Sequence, residues 1–243
     1  MRTLALTAAL ATALTGTGCI VTTNDRSGDL DLAWQFQNSD GQVAGNFTAG
    51  NSGCGVAAIT EVDVSVYDSF GDRLVFQTFP CQEQGTGLPR AFVAGLPAGS
   101  YSYLATAYRV DAPVFEDGGT FFVSDNATTP VDATLAVVTP APLSVYFTQG
   151  GVATCAGTPS IRFDLYNGAG TTLLETTTVP CDPVSTGFTA TLDRSTGVSY
   201  QVDIFALDGL GQSVSERCLQ TVRHTGFPVT IDLLPAPQAA CGP

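Results

Sequence analysis

Hydrophobic and polar residues alternate along this chain with a period of two. Val62, Val64 and Val66 are separated by Asp63, Ser65 and Tyr67. Further on, Ile161, Phe163 and Leu165 are separated by Arg162, Asp164 and Tyr166. Successive side chains of a strand point to opposite faces, so each run predicts a strand with one buried and one wet face. Such runs are short and are punctuated by Gly and Pro, the residues of turns. After the N-terminal segment no stretch carries the 3.6-residue period of an amphipathic helix. The pattern predicts an all-β protein built from antiparallel sandwiches.

The pattern also occurs twice. Cys54, the Val62–Tyr67 run, Leu74 and Pro80-Cys81 reappear in the same order as Cys155, the Ile161–Tyr166 run, Leu173 and Pro180-Cys181. The correspondence extends outward in both directions. Leu32–Phe36 matches Leu143–Phe147, Phe92–Tyr103 matches Phe188–Tyr200, and Thr129–Leu135 matches Phe227–Leu233. Colinear order implies duplication of a whole domain. Six or seven strands per unit give two sandwiches of roughly 100 residues each. The expected division is domain 1 over 29–138, a stiff Pro-rich linker over 139–142, domain 2 over 143–235 and a tail over 236–243.

Composition narrows the function classes. Hydrophobic residues make up 44% and charged residues only 13%, which excludes disorder driven by charge. The net charge of −13 leaves no positive footprint for nucleic acid, and it disfavours direct adsorption to anionic lipid. All nine basic residues are Arg.

The N-terminus carries one positive charge, at Arg2, and then an apolar run from Leu4 to Leu14. That run is too short for the roughly 20 residues a spanning helix needs, and it reads as an export signal over residues 1–18. Thr17-Gly18-Cys19 resembles the lipobox of bacterial lipoproteins, although Gly16 stands where that family usually has an aliphatic residue. The resemblance implies that Cys19 becomes the acylated first residue, with palmitate-type chains as its membrane partner and residues 19–28 as a tether. Ile20 follows Cys19. In that family an Asp there retains the protein in the inner membrane, so the resemblance points to the outer membrane. Setting Cys19 aside leaves an even number of the seven cysteines, as an oxidising compartment favours.

Leu96-Pro97-Ala98-Gly99-Ser100-Tyr101 resembles the strand entry of carboxypeptidase-regulatory-like and prealbumin-like sandwich domains. The resemblance implies two tandem Ig-like or prealbumin-like sandwiches of the accessory kind. Related pilin-type domains form Lys–Asn isopeptide bonds, which a chain without Lys cannot make.

The repeat also suggests the disulfides. Antiparallel pairing across a turn at 167–170 sets Cys155 within about one residue of opposite Cys181. The same logic brings Cys54 near Cys81 with a bulge. Cys218 and Cys241 then tie the tail to domain 2. Each repeat bridge closes some 25 residues, worth roughly 3 kcal/mol.

Candidates for chemistry are few. His224 is the single histidine and reads as a surface turn residue before the last strand. No nucleophile elbow, zinc-ligand spacing or phosphate loop is present, so no catalytic residue is assigned. Glu61, Asp63, Glu116 and Asp117 are the candidates for paired-carboxylate hydrolysis, against a reading as solvated faces. No cofactor is required. Calcium is the one ion with candidate ligands, at Asp68, Asp72 and Asp208 in turns, against ordinary turn chemistry. Tyr67 and Tyr166 project from equivalent wet faces and are the candidate ligand contacts, against simple cross-strand packing.

These readings favour a lipid-anchored envelope protein acting as a non-catalytic structural or binding module, with an envelope protein or glycan as partner and no nucleic acid. The alternatives are a surface adhesin or glycan binder, a hydrolase or its accessory, and a protease inhibitor that presents the Gln82–Arg90 loop.

Overall fold

A computed structural model describes residues 26–47, 53–81, 90–155, 157–182, 187–189 and 194–235. Cys19 and the signal lie outside the described residues, as do most of the 82–90 loop and Cys241. Domain 1 comprises β1 (Ser27–Gln37), β2 (Val43–Ala44), the helical turn α1 (Cys54–Ala57), β3 (Glu61–Tyr67), β4 (Arg73–Pro80), β5 (Arg90–Pro97), β6 (Gly99–Arg109), β7 (Ala112–Val123) and β8 (Thr128–Val137). Domain 2 comprises β9 (Ser144–Gln149), β10 (Ser160–Tyr166), β11 (Leu173–Pro180), β12 (Gly187–Thr189), β13 (Ser199–Leu207), β14 (Ser213–Arg223) and β15 (Val229–Pro235).

The ladder of domain 1 runs β2-β1-β8-β7-β6-β3-β4, with β5 also on β1. That of domain 2 runs β11-β10-β13-β14-β15-β9-β12. Read from β4 and β11, the first six strands of the two orders match one for one, and β12 on β9 is the counterpart of β5 on β1, so the duplicated sequence is a duplicated topology with β2 as an addition in domain 1. Each ladder bends at one corner into two facing layers. β7 meets β8 only at Phe115↔Val137 and Glu116↔Ala136, and β14 meets β15 only at Ser215↔Pro235 and Glu216↔Leu234. Both domains are β-sandwiches.

One pair in each domain departs from the expected antiparallel pairing. β1 runs parallel to β8, and β15 runs parallel to β9. Parallel neighbours need a long crossover, and the strands between first and last supply it. The two pairs differ in register. Trp34 faces Ala133, but Val145 faces Val229 rather than Ile231, the repeat equivalent of Ala133. The displacement is two residues, which preserves the inward faces.

Alternation decides what is buried. Leu30, Leu32, Trp34 and Phe36 of β1 and Val62, Val64 and Val66 of β3 are fully enclosed. Ile161, Phe163 and Leu165 of β10 and Val202, Ile204 and Ala206 of β13 do the same in domain 2. The wet faces are less wet than predicted. Ser65 is buried because Phe76 and Leu104 flank it across β4 and β6.

The disulfides Cys54–Cys81 and Cys155–Cys181 form with Cα atoms 5.7 Å apart, but not by direct register. Cys181 N–H bonds Pro159 O, so Cys155 lies four residues off the opposing position. The turn is longer than expected, closing from Asn167 N–H to Thr172 O, and a bulge follows at Leu165/Tyr166. In domain 1, Cys81 N–H bonds Thr60 O, six residues past Cys54. The helical turn α1 and left-handed Ala58 (φ 51°) fold the chain back, and Ile59 N–H bonds Cys54 O. Cys218 is also disulfide-bonded.

Replacing both Cys155 and Cys181 by Ala releases a loop of sequence separation 26. Domain 2 is expected to lose about 3 kcal/mol, seen as a lower urea midpoint with the native fold retained at zero denaturant.

Candidate functional site

The alternation of β6 puts Tyr101, Tyr103, Ala105 and Ala107 inside, and the next residue in phase is Arg109. Arg109 is 3% exposed and sits where the end of domain 1 meets domain 2. Its Nη2 donates to Ala57 O at 2.6 Å in domain 1 and to Gly226 O at 2.7 Å in domain 2. Its Nη1 donates to Ser144 Oγ at 3.0 Å and more distantly to Pro142 O. Nε–H is buried without a partner. Every acceptor is neutral. Burial therefore pulls the guanidinium down to about 10, opposed by Tyr146, and it stays cationic at neutral pH.

His224 is the second buried polar residue of this junction. Its predicted place on a surface turn is overturned: it is 1% exposed. The phase of β14 that buries Val222 continues to His224, whose N–H still bonds Val198 O. Its Nε2 lies 2.9 Å from Ala141 O, a contact only a protonated Nε2 can make, and Nδ1 is buried without a partner. Burial lowers its pKa, and the charges of Arg109 and Arg194 lower it further, against the Ala141 contact.

In the stiff segment 139–142, Thr139 and Pro140 are exposed while Ala141 and Pro142 are packed into the junction. Ala141 is fully buried and exchanges backbone hydrogen bonds with Arg194. Around the buried centre, Phe227 of domain 2 lies 5.7 Å from Phe115 of domain 1, and Ser39 N–H bonds Thr225 O. At the rim, Arg223 makes a forked contact to Asp40, with Nη2–Oδ1 at 2.8 Å and Nε–Oδ2 at 3.0 Å. This holds the Asp40 carboxyl below its usual range. Gly226 passes so close that a Cβ would lie 2.4 Å from Val137 Cγ2, and its φ of +95° suits glycine alone.

Beside the junction runs an open groove of about 820 Å³. The Cys54–Cys81 disulfide, Val56 and Val110 line one side, and Tyr146 and Pro228 line the other.

The calcium candidates have a different occupation. Asp68 Oδ1 accepts the N–H groups of Phe70 and Asp72, and Asp208 Oδ1 accepts those of Leu210 and Gln212. Asn38 caps its turn in the same way, and Asn167 accepts instead the N–H groups of Thr171 and Thr172 in its longer turn. In all four turns the third residue on is a glycine with positive φ: Gly41, Gly71, Gly170 and Gly211. Asp68 and Asp72 lie in domain 1 and Asp208 in domain 2. Among the described residues no three His, Cys, Asp or Glu groups cluster as metal ligands.

Tyr67 and Tyr166 are half-buried on separate domains, so the fold does not bring them together. Burial raises the Tyr166 hydroxyl, helped by Asp203 and Asp164. Those aspartates face each other across β10 and β13 and each has a local partner, although Asp164 Oδ1 is buried without one. Arg162 pairs with Asp164 at 3.1 Å and stacks 4.2 Å over Phe205, while Asp203 accepts Leu219 N–H at a β-bulge. Glu61, Asp63 and Glu116 share the outer face of the β3–β6–β7 layer, where Thr78 donates to Asp63 at 2.6 Å and Thr106 approaches Glu116. Asp117 instead accepts from the Tyr103 hydroxyl at 2.8 Å and, after burial, raises that group's pKa further.

No family model matches the chain, and no curated protein matches it in sequence. Similar solved structures include the Bacillus anthracis TIE protein, at 12% identity and TM-score 0.32. That match covers 85% of this chain, which spans only 33% of that protein. The fimbrial anchor protein Mfa2 from Porphyromonas gingivalis is similar at 10% identity and TM-score 0.38, over 79% of this chain and 82% of that one. A fimbrial assembly protein from Parabacteroides distasonis is similar at 12% identity and TM-score 0.38, over 85% and 90%. At these identities and TM-scores the likeness carries no functional information. The molecule is defined by its own geometry: a tandem β-sandwich protein locked at a buried arginine–histidine junction.

Arg109→Leu removes the donor from two buried carbonyls in different domains. It is expected to cost about 3 kcal/mol or more. Calorimetry should then resolve two domain transitions where the unaltered protein shows one. A single transition at an unchanged midpoint would show that Arg109 does not couple the domains.

Proposed function

We propose that this chain is an exported, lipid-anchored envelope protein whose two sandwiches serve together as a non-catalytic structural or binding module. The junction is the observation that carries the reading. Arg109 bridges the two domains, His224 braces the segment that joins them, and both are buried away from solvent. A rigid pair on a short tether suits a part that positions or braces another envelope component. The disulfides of both domains support an oxidising compartment outside the cytoplasm. The signal pattern and Cys19 support attachment by acyl chains, which hold a protein at a membrane at about 0.8 kcal/mol per buried methylene. Among the described residues no helix is long and apolar enough to cross a membrane.

Metabolic labelling with a palmitate analogue tests the anchor. The wild-type chain should take up label and fractionate with membranes, and Cys19→Ser should be unlabelled and released in soluble form. Equal labelling of both would place the acyl chain elsewhere or nowhere. Turnover of any envelope glycan or peptide by the purified protein, lost in Glu61→Ala or Glu116→Ala, would replace the non-catalytic reading with a hydrolytic one.

A further inference from the structure

We infer that the junction is an acid-sensitive joint, closed while His224 is neutral and released when its imidazole takes up a proton. The inference goes beyond the proposed function and does not depend on it.

The geometry admits only one protonation state of the ring. Nε2–H donates to Ala141 O, and Nδ1 is enclosed with no hydrogen-bond partner. A proton added at Nδ1 would meet no acceptor, and a buried donor left unpaired is costly. The groups around the ring make the added charge worse. β6 contributes the Arg109 guanidinium, and the segment before β13 contributes Arg194. Among the described residues, the carboxylate that pairs with Arg194 is Glu175 of β11, at 2.8 Å. From β13 comes Tyr200, whose hydroxyl approaches Ser195 O, and β9 adds Ser144 and, beside Arg109, Tyr146. The two charges that act on His224 are thus both positive, and burial depresses its pKa more strongly than either. Protonation would put a further cation into an interface that already holds a desolvated arginine whose acceptors are neutral groups.

The direction of the pH dependence follows. In the open joint the imidazole meets water and titrates near its ordinary 6.5, but in the closed joint its pKa is lower. Above 6.5 the closed form has its full stability. Below 6.5 the open form binds a proton that the closed form refuses. The open-to-closed ratio then grows by up to about tenfold per pH unit, until the depressed pKa is passed. The rim pair does not set this window. Asp40 is held below the usual carboxylate range by Arg223 and stays ionised through it.

A single histidine makes the test direct, because the full-length chain gives one imidazole signal. Imidazole NMR and small-angle scattering would be recorded together from pH 7.5 to 4.5, with circular dichroism following the sandwiches. The expected result is the Nε2–H tautomer at neutral pH. Below 6.5, protonation and a rise in radius of gyration should share one midpoint while the β signal is retained. His224→Gln keeps a donor for Ala141 O but cannot titrate, and it should stay compact over the same range. Protonation without a change in dimensions would overturn the inference. So would opening of His224→Gln at the same pH, or loss of the β signal in step with opening. If His224→Gln does not fold, the coincidence or separation of the two wild-type midpoints still decides.

Discussion

A guanidinium held by neutral acceptors is enclosed between two domains, and the relation of the domains depends on it. Desolvating a guanidinium is expensive, and among the described residues no carboxylate offsets it. Carbonyls do so instead, Ala57 from one side and Gly226 from the other. Separating the domains would strip Arg109 of the Gly226, Ser144 and Pro142 acceptors together. The interaction is thus conditional on the two sandwiches lying against each other. The Phe227–Phe115 contact adds apolar packing across the junction, and the rim pair Arg223–Asp40 adds orientation at lower cost because it stays in water.

Duplication explains the architecture, and divergence explains the junction. The two ladders have the same order and the same corner between layers. At the position equivalent to Arg109, the phase of β13 reaches Asp208 after Ala206. In domain 1 this end of the sheet faces another domain, and the arginine finds acceptors there. In domain 2 the same position starts a turn, and the aspartate caps it. One backbone position has become an interdomain anchor in one copy and a turn former in the other. The four capped turns show the complementary case, a local solution reused because Asn or Asp with a later glycine satisfies the amide four residues on each time.

Much of the fold was legible from the period of two, because strand formation and facing are local properties. Val62–Val66 and Ile161–Leu165 are buried where alternation puts them. The disulfide partners Cys54–Cys81 and Cys155–Cys181 followed from the repeat, although the assumed register was off by several residues. Arg109 left a signal that could have been read: it is the fifth residue of the inward phase that begins at Tyr101. His224 left one too, two residues past Val222. A turn-like Arg-His-Thr-Gly context outweighed it, because turn chemistry is normally a surface property.

The sequence by itself determined the strands, their inward faces, the duplication and the partners of the two repeat disulfides. Each of these follows from side-chain alternation or from comparing one half of the chain with the other. Only the tertiary structure decided that β1 lies parallel to β8, that α1 folds Cys54 back onto Cys81, and which groups enclose Arg109 and His224. The reason is distance along the chain. Arg109 reaches Gly226 across 117 residues, and His224 reaches Ala141 across 83. Which groups such residues meet depends on which ends of two finished sandwiches come together, and no local pattern encodes that.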